Sequence, residues 1–274
     1  MNDEHDLAAL TLELRRLAVE AGAAIMSYYE SGLEAIVKED SSPVTIADHE
    51  AERIILAGLS RIAPDIPVVA EEQAAAGHIP AIGRRFFVVD PLDGTKEFLR
   101  ENGEFTVNIA LVEDRAPIAG VVYAPAKERL FYAYGPGAAY EQAVSPYTND
   151  PIAGSSPPRR IAVRRPAADG LTVVVSRTHR DQKTEEYLNL YRVKEFLVAG
   201  SSLKFCMIAA GEADLYPRHG RTMEWDTAAG HAVLAAAGGS VTLLDGAPLL
   251  YGKTGRGFDN PYFLARGGAE VVGG

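Results

Sequence analysis

The apolar run Phe86-Phe87-Val88-Val89 passes directly into Asp90-Pro91-Leu92-Asp93-Gly94, and this junction constrains the chain more than any other stretch. Its length and β-branched content read as a buried strand. Pro91 has no N–H to give a ladder and Gly94 tolerates positive φ, so the strand is expected to end at Asp90 and the chain to curl tightly. Both aspartates, with the Leu92 carbonyl between them, can then face one point. Hard oxygen donors without Cys or His favour Mg²⁺ or Mn²⁺ over zinc. An ordinary type I turn has the same letters, so the company this segment keeps decides between the readings.

Two other acidic pieces supply that company. Val68-Val69-Ala70 reads as a short strand over 67–72 that ends in Glu71-Glu72, and neighbouring strands would bring Glu71 beside Asp90. Glu224-Trp225-Asp226 opens a small-residue helix over 226–237, closed by Gly238-Gly239. Asp226 suits a helix start for dipole and capping reasons, and it also suits a ligand where backbone N–H groups welcome phosphate.

The D-P-L-D-G-T and W-D-T-A-A-G elements, in that order and with Glu71-Glu72 upstream, resemble the inositol monophosphatase superfamily of Mg²⁺-dependent, lithium-sensitive phosphatases. The resemblance runs from the first helix to Tyr262-Phe263-Leu264. Finer motifs resemble its CysQ-type 3′(2′),5′-bisphosphate nucleotidase branch. They are Ser42-Pro43-Val44-Thr45-Ile46-Ala47-Asp48, Lys96-Glu97-Phe98, the Gly103–Ala110 and Gly120–Pro125 segments, Gly200-Ser201-Ser202-Leu203-Lys204, and Leu215-Tyr216-Pro217-Arg218. The resemblance implies removal of the 3′-phosphate from adenosine 3′,5′-bisphosphate, giving AMP, with the 3′-phosphoadenylyl sulfate as a related substrate and a place in sulfur assimilation. Inositol monophosphatase or fructose-1,6-bisphosphatase-like activity is the alternative, because the metal motif is shared. A catalytically silent regulator or RNA-associated binder on this fold is the rival from another class, and the intact set of acidic positions opposes it.

The resemblance also implies the site. Glu71, Asp90 and the Leu92 carbonyl would hold one Mg²⁺, and Asp90, Asp93 and Asp226 a second. A third, weaker ion would lie near Glu72, with Mn²⁺ as a substitute and Li⁺ as an inhibitor. Glu71 and Thr95 would activate water, with Asp48 taking the Thr95 proton; Asp48 could equally cap the second helix. The Gly94 and Thr95 N–H groups would cradle the reacting phosphate. Besides Glu71, Leu92, Asp93, Gly94, Thr95 and Asp226, the substrate would meet Lys204, Arg218, Ser201 and His179. A point charge and a guanidinium fork suit the second phosphate. His231 and Trp225 are read as structural.

Composition narrows the setting. The 274 residues allow one large domain or two intimate ones, and 47% apolar content suits a substantial core. A net charge of −10 argues against nucleic acid and requires local cations or metals for an anionic substrate. The single Cys206 excludes an internal disulfide and reads as a core residue. An acidic start unlike a signal peptide, and no apolar run near the roughly 20 residues of a membrane helix, lead to an expected cytoplasmic location. Peripheral attachment at the inner membrane, which the resemblance brings with it, finds no basic amphipathic helix in support. Both monomers and homodimers occur in the superfamily.

Periodicity predicts a helix from Leu7 to Tyr28 and another after Asp48. Strands follow at 85–90, 105–113, 117–123 and 129–134, then a Pro/Ser/Gly-rich boundary at 145–160. Beyond it, strands 171–175, 194–198, 214–216, 240–244 and 262–265 alternate with helices 181–191, 201–211 and 226–237. Gly135-Pro136-Gly137 reads as a turn, not a dinucleotide fingerprint. The expected architecture is an α+β half (1–145) carrying the main metal site and an α/β half (160–274) carrying Asp226 and the nucleotide contacts. Together they match the layered αβαβα sandwich that the resemblance implies.

Overall fold

The computed structural model describes residues 3–31, 36–37, 43–44, 46–150, 152–153, 156–176 and 182–268. In the larger sheet, β3 (Val68–Ala70), β4 (Arg85–Asp93), β5 (Thr106–Glu113), β6 (Ala116–Ala124), β7 (Arg129–Ala133), β8 (Ala139–Ala143) and β9 (Arg159–Arg160) lie side by side in chain order. β3 runs parallel to β4, and every later pair is antiparallel. The turn between β5 and β6 has Asp114 and Arg115 both at positive φ (48° and 67°), the mirror-image turn whose twist matches that of its strands. A smaller sheet has the order β11 (Val193–Ala199), β10 (Leu171–Ser176), β12 (Leu215–Arg218), β14 (Phe263–Arg266), β13 (Ser240–Leu243). β1 (Ile36–Val37) and β2 (Pro43–Val44) form a short antiparallel ladder.

Alternation along the strands sorts the core into layers. Phe87 and Val89 of β4 and Val107, Ile109 and Leu111 of β5 pack under α1 (Asp3–Tyr29) and α2 (Ile46–Ile62). Phe86, Val88, Ala110 and Val112 point the other way, into a second core with α6 (Leu203–Ala209) and α7 (Glu224–Ala236). The inner face of the smaller sheet, with Val174, Tyr216 and Phe263, closes that core from the far side. Leu188 of α5 (Gln182–Leu188) covers the outer face at Leu171, Val173 and Leu215. The order is helices, sheet, helices, sheet, helix: the expected αβαβα sandwich.

Small residues let α7 lie flat on the larger sheet. A Cβ at Gly120 of β6 would come within 2.8 Å of the Ala229 carbonyl and of the Ala232 methyl. His231, on the same helix, is buried with Nδ1 at 3.0 Å from the Tyr251 hydroxyl, consistent with a structural role. Cys206 is a buried free thiol.

Several boundaries differ from the sequence reading. Glu71 and Glu72 do not end a strand: β3 stops at Ala70, and they open the short helix α3 (Glu71–Ala75), whose positive end favours acidic side chains. β4 does not stop at Asp90 either. It absorbs Pro91 and Leu92 as an irregularity and resumes pairing at Asp93↔Thr106, a place where an interior strand tolerates proline. The turn falls at Gly94 (φ 94°), which opens α4 (Thr95–Leu99). Within the 145–160 stretch, β9 pairs with β8 and the buried Gln142 amide donates to the Ile152, Ala153 and Ser156 carbonyls. Among the described residues no helix is long and apolar enough to cross a membrane.

Candidate active site

Strand register creates the site. β3 and β4 are parallel with Ala70 opposite Val89, so the residues that follow, Glu71 at the start of α3 and Asp90 just before the β4 irregularity, come out side by side. The Asp90 side chain turns back to accept the Leu92 N–H (3.0 Å), which fixes the irregularity and directs Asp93 onward. Asp226 arrives from the other core: it is the third residue of α7, and its carboxylate accepts the Met223 N–H ahead of the helix (2.8 Å).

These groups meet in a cleft of about 370 Å³. Glu71, Asp93, Gly94 and Thr95, from the segments that follow β3 and β4, line it together with Ser201, Lys204, Arg218 and Asp226. Asp90 lies beneath, 1% exposed. His179 lies outside the described residues, as does the Thr45 end of the motif before Asp48.

The carboxylates are held together against their own repulsion. Burial, then the charges of Glu71, Asp93 and Asp226, push Asp90 well above the usual carboxylate range, and it shares a hydrogen bond with Glu71. Burial and the neighbouring Asp226 raise Asp93 to about 7, opposed by Lys204 and the Ser202 N–H. Burial raises Asp226 to about 6, opposed by the Met223 N–H, Arg218 and Lys204. Among the described residues no three His, Cys, Asp or Glu side chains already form a closed ligand cage. The acids are gathered without converging on a single point, and positive charge brought among them would favour the ionised forms.

Thr95 Oγ1 donates to Asp48 Oδ1 (3.3 Å) and lies 3.5 Å from the Leu92 carbonyl. Asp48 is 2% exposed and sits inside the first turn of α2, so the structure brings it to Thr95 while leaving it near the helix start.

The cationic wall divides into two parts. Lys204 is 3% exposed, with Nζ donating to the Ser201 carbonyl (2.5 Å) and lying 3.4 Å from that of Ala199; burial lowers it to about 8. Its charge therefore lies under the loop, beside Asp93. Arg218 Nη2 donates to the Arg221 carbonyl (3.0 Å), whereas its Nε and the Ser201 Oγ are buried without a hydrogen-bond partner. Ser201 is also held at φ 47°, unusual for a residue with a Cβ. Trp225, read as structural, is 7% exposed and lies tilted against Phe258, yet its side chain also lines the cleft.

Sequence reading missed several residues around the site. The Ser202 N–H donates to Asp93 Oδ2 (2.6 Å), and its Oγ donates to Asn108 Oδ1 (2.7 Å). Glu224, fully buried, accepts the N–H groups of Gly252 and Lys253 (2.7 and 2.8 Å) and pairs with Lys253 Nζ, which pins the start of α7. Glu52 of α2 accepts the Glu72 N–H (2.8 Å). A signal existed for two of them. Asn108 interrupts an apolar strand, and Glu52 shares a helix face with Ala51, Ile55 and Leu59.

Comparison with known proteins places the fold in a family. A family model described as the inositol monophosphatase family matches residues 6–272. The 3′(2′),5′-bisphosphate nucleotidase CysQ of Salmonella typhimurium is 44% identical over 250 residues, 90% of this chain and 96% of the relative. CysQ of Buchnera aphidicola is 42% identical over 253 residues, 91% of each. Among solved structures, CysQ from Bacteroides thetaiotaomicron superposes with a TM-score of 0.76 at 37% identity, over 93% of this chain and 95% of that one. An inositol monophosphatase from Anabaena gives 0.73 at 25% identity, over 96% and 92%.

Proposed function

The chain belongs to the inositol monophosphatase family, and we propose that it is a 3′(2′),5′-bisphosphate nucleotidase that hydrolyses the 3′-phosphate of adenosine 3′,5′-bisphosphate to give AMP. One observation carries this reading. A single cleft holds a carboxylate cluster together with Arg218 and Ser201, whose Nε and Oγ are buried without hydrogen-bond partners. A substrate with one phosphate to cleave and another to be held fits both sets of groups, and 3′-phosphoadenylyl sulfate offers the same two anionic ends.

The donor set fits Mg²⁺. It consists of oxygens alone, several of its acids are pushed upward by burial and then by one another's charge, and Asp90 and Glu71 are in hydrogen-bond contact. Glu71, Asp90, Asp93, Asp226 and the Leu92 carbonyl would hold the ions, with Mn²⁺ as a substitute and Li⁺ as an inhibitor. When bound, Mg²⁺ supplies positive charge for the phosphoryl and leaving oxygens and makes water acidic enough to attack at neutral pH.

The protein's own groups supply the rest. Thr95 lines the cleft with Oγ1 donating to Asp48, so that it would accept a proton from the attacking water as its own passes to Asp48. Glu71 shares the task from the adjacent strand end. Gly94, at φ 94°, makes the tight turn into α4 that a side chain would strain, and its N–H and that of Thr95 would cradle the phosphate. Arg218 and Ser201 take the 5′-phosphate, and Lys204, behind them, offsets the charge of Asp93 and steadies the Ala199–Ser201 loop.

The test is phosphate release from adenosine 3′,5′-bisphosphate, inositol 1-phosphate and fructose 1,6-bisphosphate, in Mg²⁺ and in EDTA, for wild type and Arg218→Ala. The reading expects the nucleotide to be preferred and EDTA to abolish turnover. In Arg218→Ala, loss of a charge-assisted contact worth about 1.5–3 kcal/mol should lower kcat/KM for the nucleotide tens to hundreds of fold, mostly through KM. Equal impairment on inositol 1-phosphate, or a wild-type preference for a sugar phosphate, overturns it.

A further inference from the structure

α3 begins without a cap of its own. The residue ahead of it is Ala70, which offers no side-chain acceptor, and its first residue is Glu71. The missing acceptor comes from far along the chain. Glu52, 4% exposed on α2, places Oε2 at 2.8 Å from the Glu72 N–H, one of the amides that a helix start leaves open. Asp48 lies one turn earlier on the same helix and holds Thr95. One face of α2 thus reaches both elements that follow the paired strands: Asp48 fixes the hydroxyl that opens α4 after β4, and Glu52 fixes the helix turn that follows β3.

We propose that Glu52 is a positioning residue for Glu71, acting through the first turn of α3, so that α2 sets the distance between Glu71 and Thr95. The proposal rests on the reading of Glu71 as a metal and water ligand. It needs reach rather than charge, because a backbone N–H is satisfied by any oxygen in the right place. That separates Glu52 from a ligand or a source of field, for which charge would matter more.

Two variants divide these roles. Glu52→Gln keeps an acceptor oxygen at the same reach and loses the charge; Glu52→Asp keeps the charge and falls one methylene short. Mn²⁺ binding without substrate, followed by the electron paramagnetic resonance of the free ion, is measured beside kcat, KM and amide exchange at Glu72, with Glu71→Gln as reference. Glu52→Gln should stay within about threefold of wild type, while Glu52→Asp should lose on the order of 10–100-fold in Mn²⁺ affinity and kcat. KM should change little, and the Glu72 amide should exchange faster only in Glu52→Asp. A wild-type Glu52→Asp beside a crippled Glu52→Gln overturns the proposal, as does unchanged exchange at Glu72 in both. If Glu71→Gln binds Mn²⁺ like wild type, the ligand reading of Glu71 has failed instead, and the exchange data still decide whether Glu52 holds the turn.

Discussion

The Asp93 carboxylate accepts the Ser202 N–H at 2.6 Å and lies where burial and Asp226 both resist its charge, which raises it to about 7. The folded value exceeds the unfolded one, so the metal-free fold binds a proton there that the unfolded chain has released. Stability from this group is therefore present near pH 4 and is lost as pH rises toward 7. Asp93→Asn should show both sides of the conflict. Without metal it should melt several degrees above wild type at pH 7.5, with the gap closing toward pH 4. In Mg²⁺ its kcat should fall by more than about tenfold, because an anionic ligand is gone. Equal melting temperatures at pH 7.5, or near-normal turnover, would remove Asp93 from the metal site. Thr95 and Asp48 invite a cycle of their own. Thr95→Ala and Asp48→Asn should each lower kcat by roughly 10²–10⁴-fold with little change in KM. The double variant should be no worse than the weaker single, whereas multiplied defects would mean that the two residues do not form one relay.

At the scale of elements, α7 carries Asp226 at its start and depends on small residues to reach the larger sheet. Gly120→Ala would press a methyl against the Ala229 carbonyl and Ala232 at 2.8 Å. Such overpacking should cost about 1–3 kcal/mol, a drop in Tm of roughly 2–5 °C for a chain of this length, which thermal unfolding measures directly. An unchanged Tm would show that the helix sits less tightly than the packing indicates. The same elements mark what could be read in advance. The β4 junction was legible because its chemistry is local: an apolar run, a proline, a glycine and two acids within one segment. α3 was not, because a five-residue helix is too short to show a period and Val-Val-Ala ahead of it reads as strand. β8 and β9 were missed for a related reason, since Ala-Tyr-Glu-Gln-Ala and Arg-Arg carry no alternation. Asp48 was found through resemblance; spacing marks Glu52 only as a residue on the buried face of its helix, and neither its contact with the Glu72 N–H nor that of the Ser202 N–H with Asp93 is announced by any spacing.

The molecule as a whole carries a net charge of −10 and still gathers its acids in the cleft. That arrangement suits a site completed by cations, with Arg218 and Lys204 as local relief from the background field. Mg²⁺ bound to the fold and not to the unfolded chain should stabilise it by about 2.7 kcal/mol at a hundred times Kd. The central claim is narrower than metal dependence: the 3′-phosphate leaves while the 5′-phosphate is held. ³¹P nuclear magnetic resonance of adenosine 3′,5′-bisphosphate incubated with the protein and Mg²⁺ reads both positions at once. The account predicts that the 3′ signal gives way to inorganic phosphate while the 5′ signal persists as AMP. Loss of the 5′ signal first, or an unchanged spectrum from a preparation that consumes inositol 1-phosphate, would contradict it.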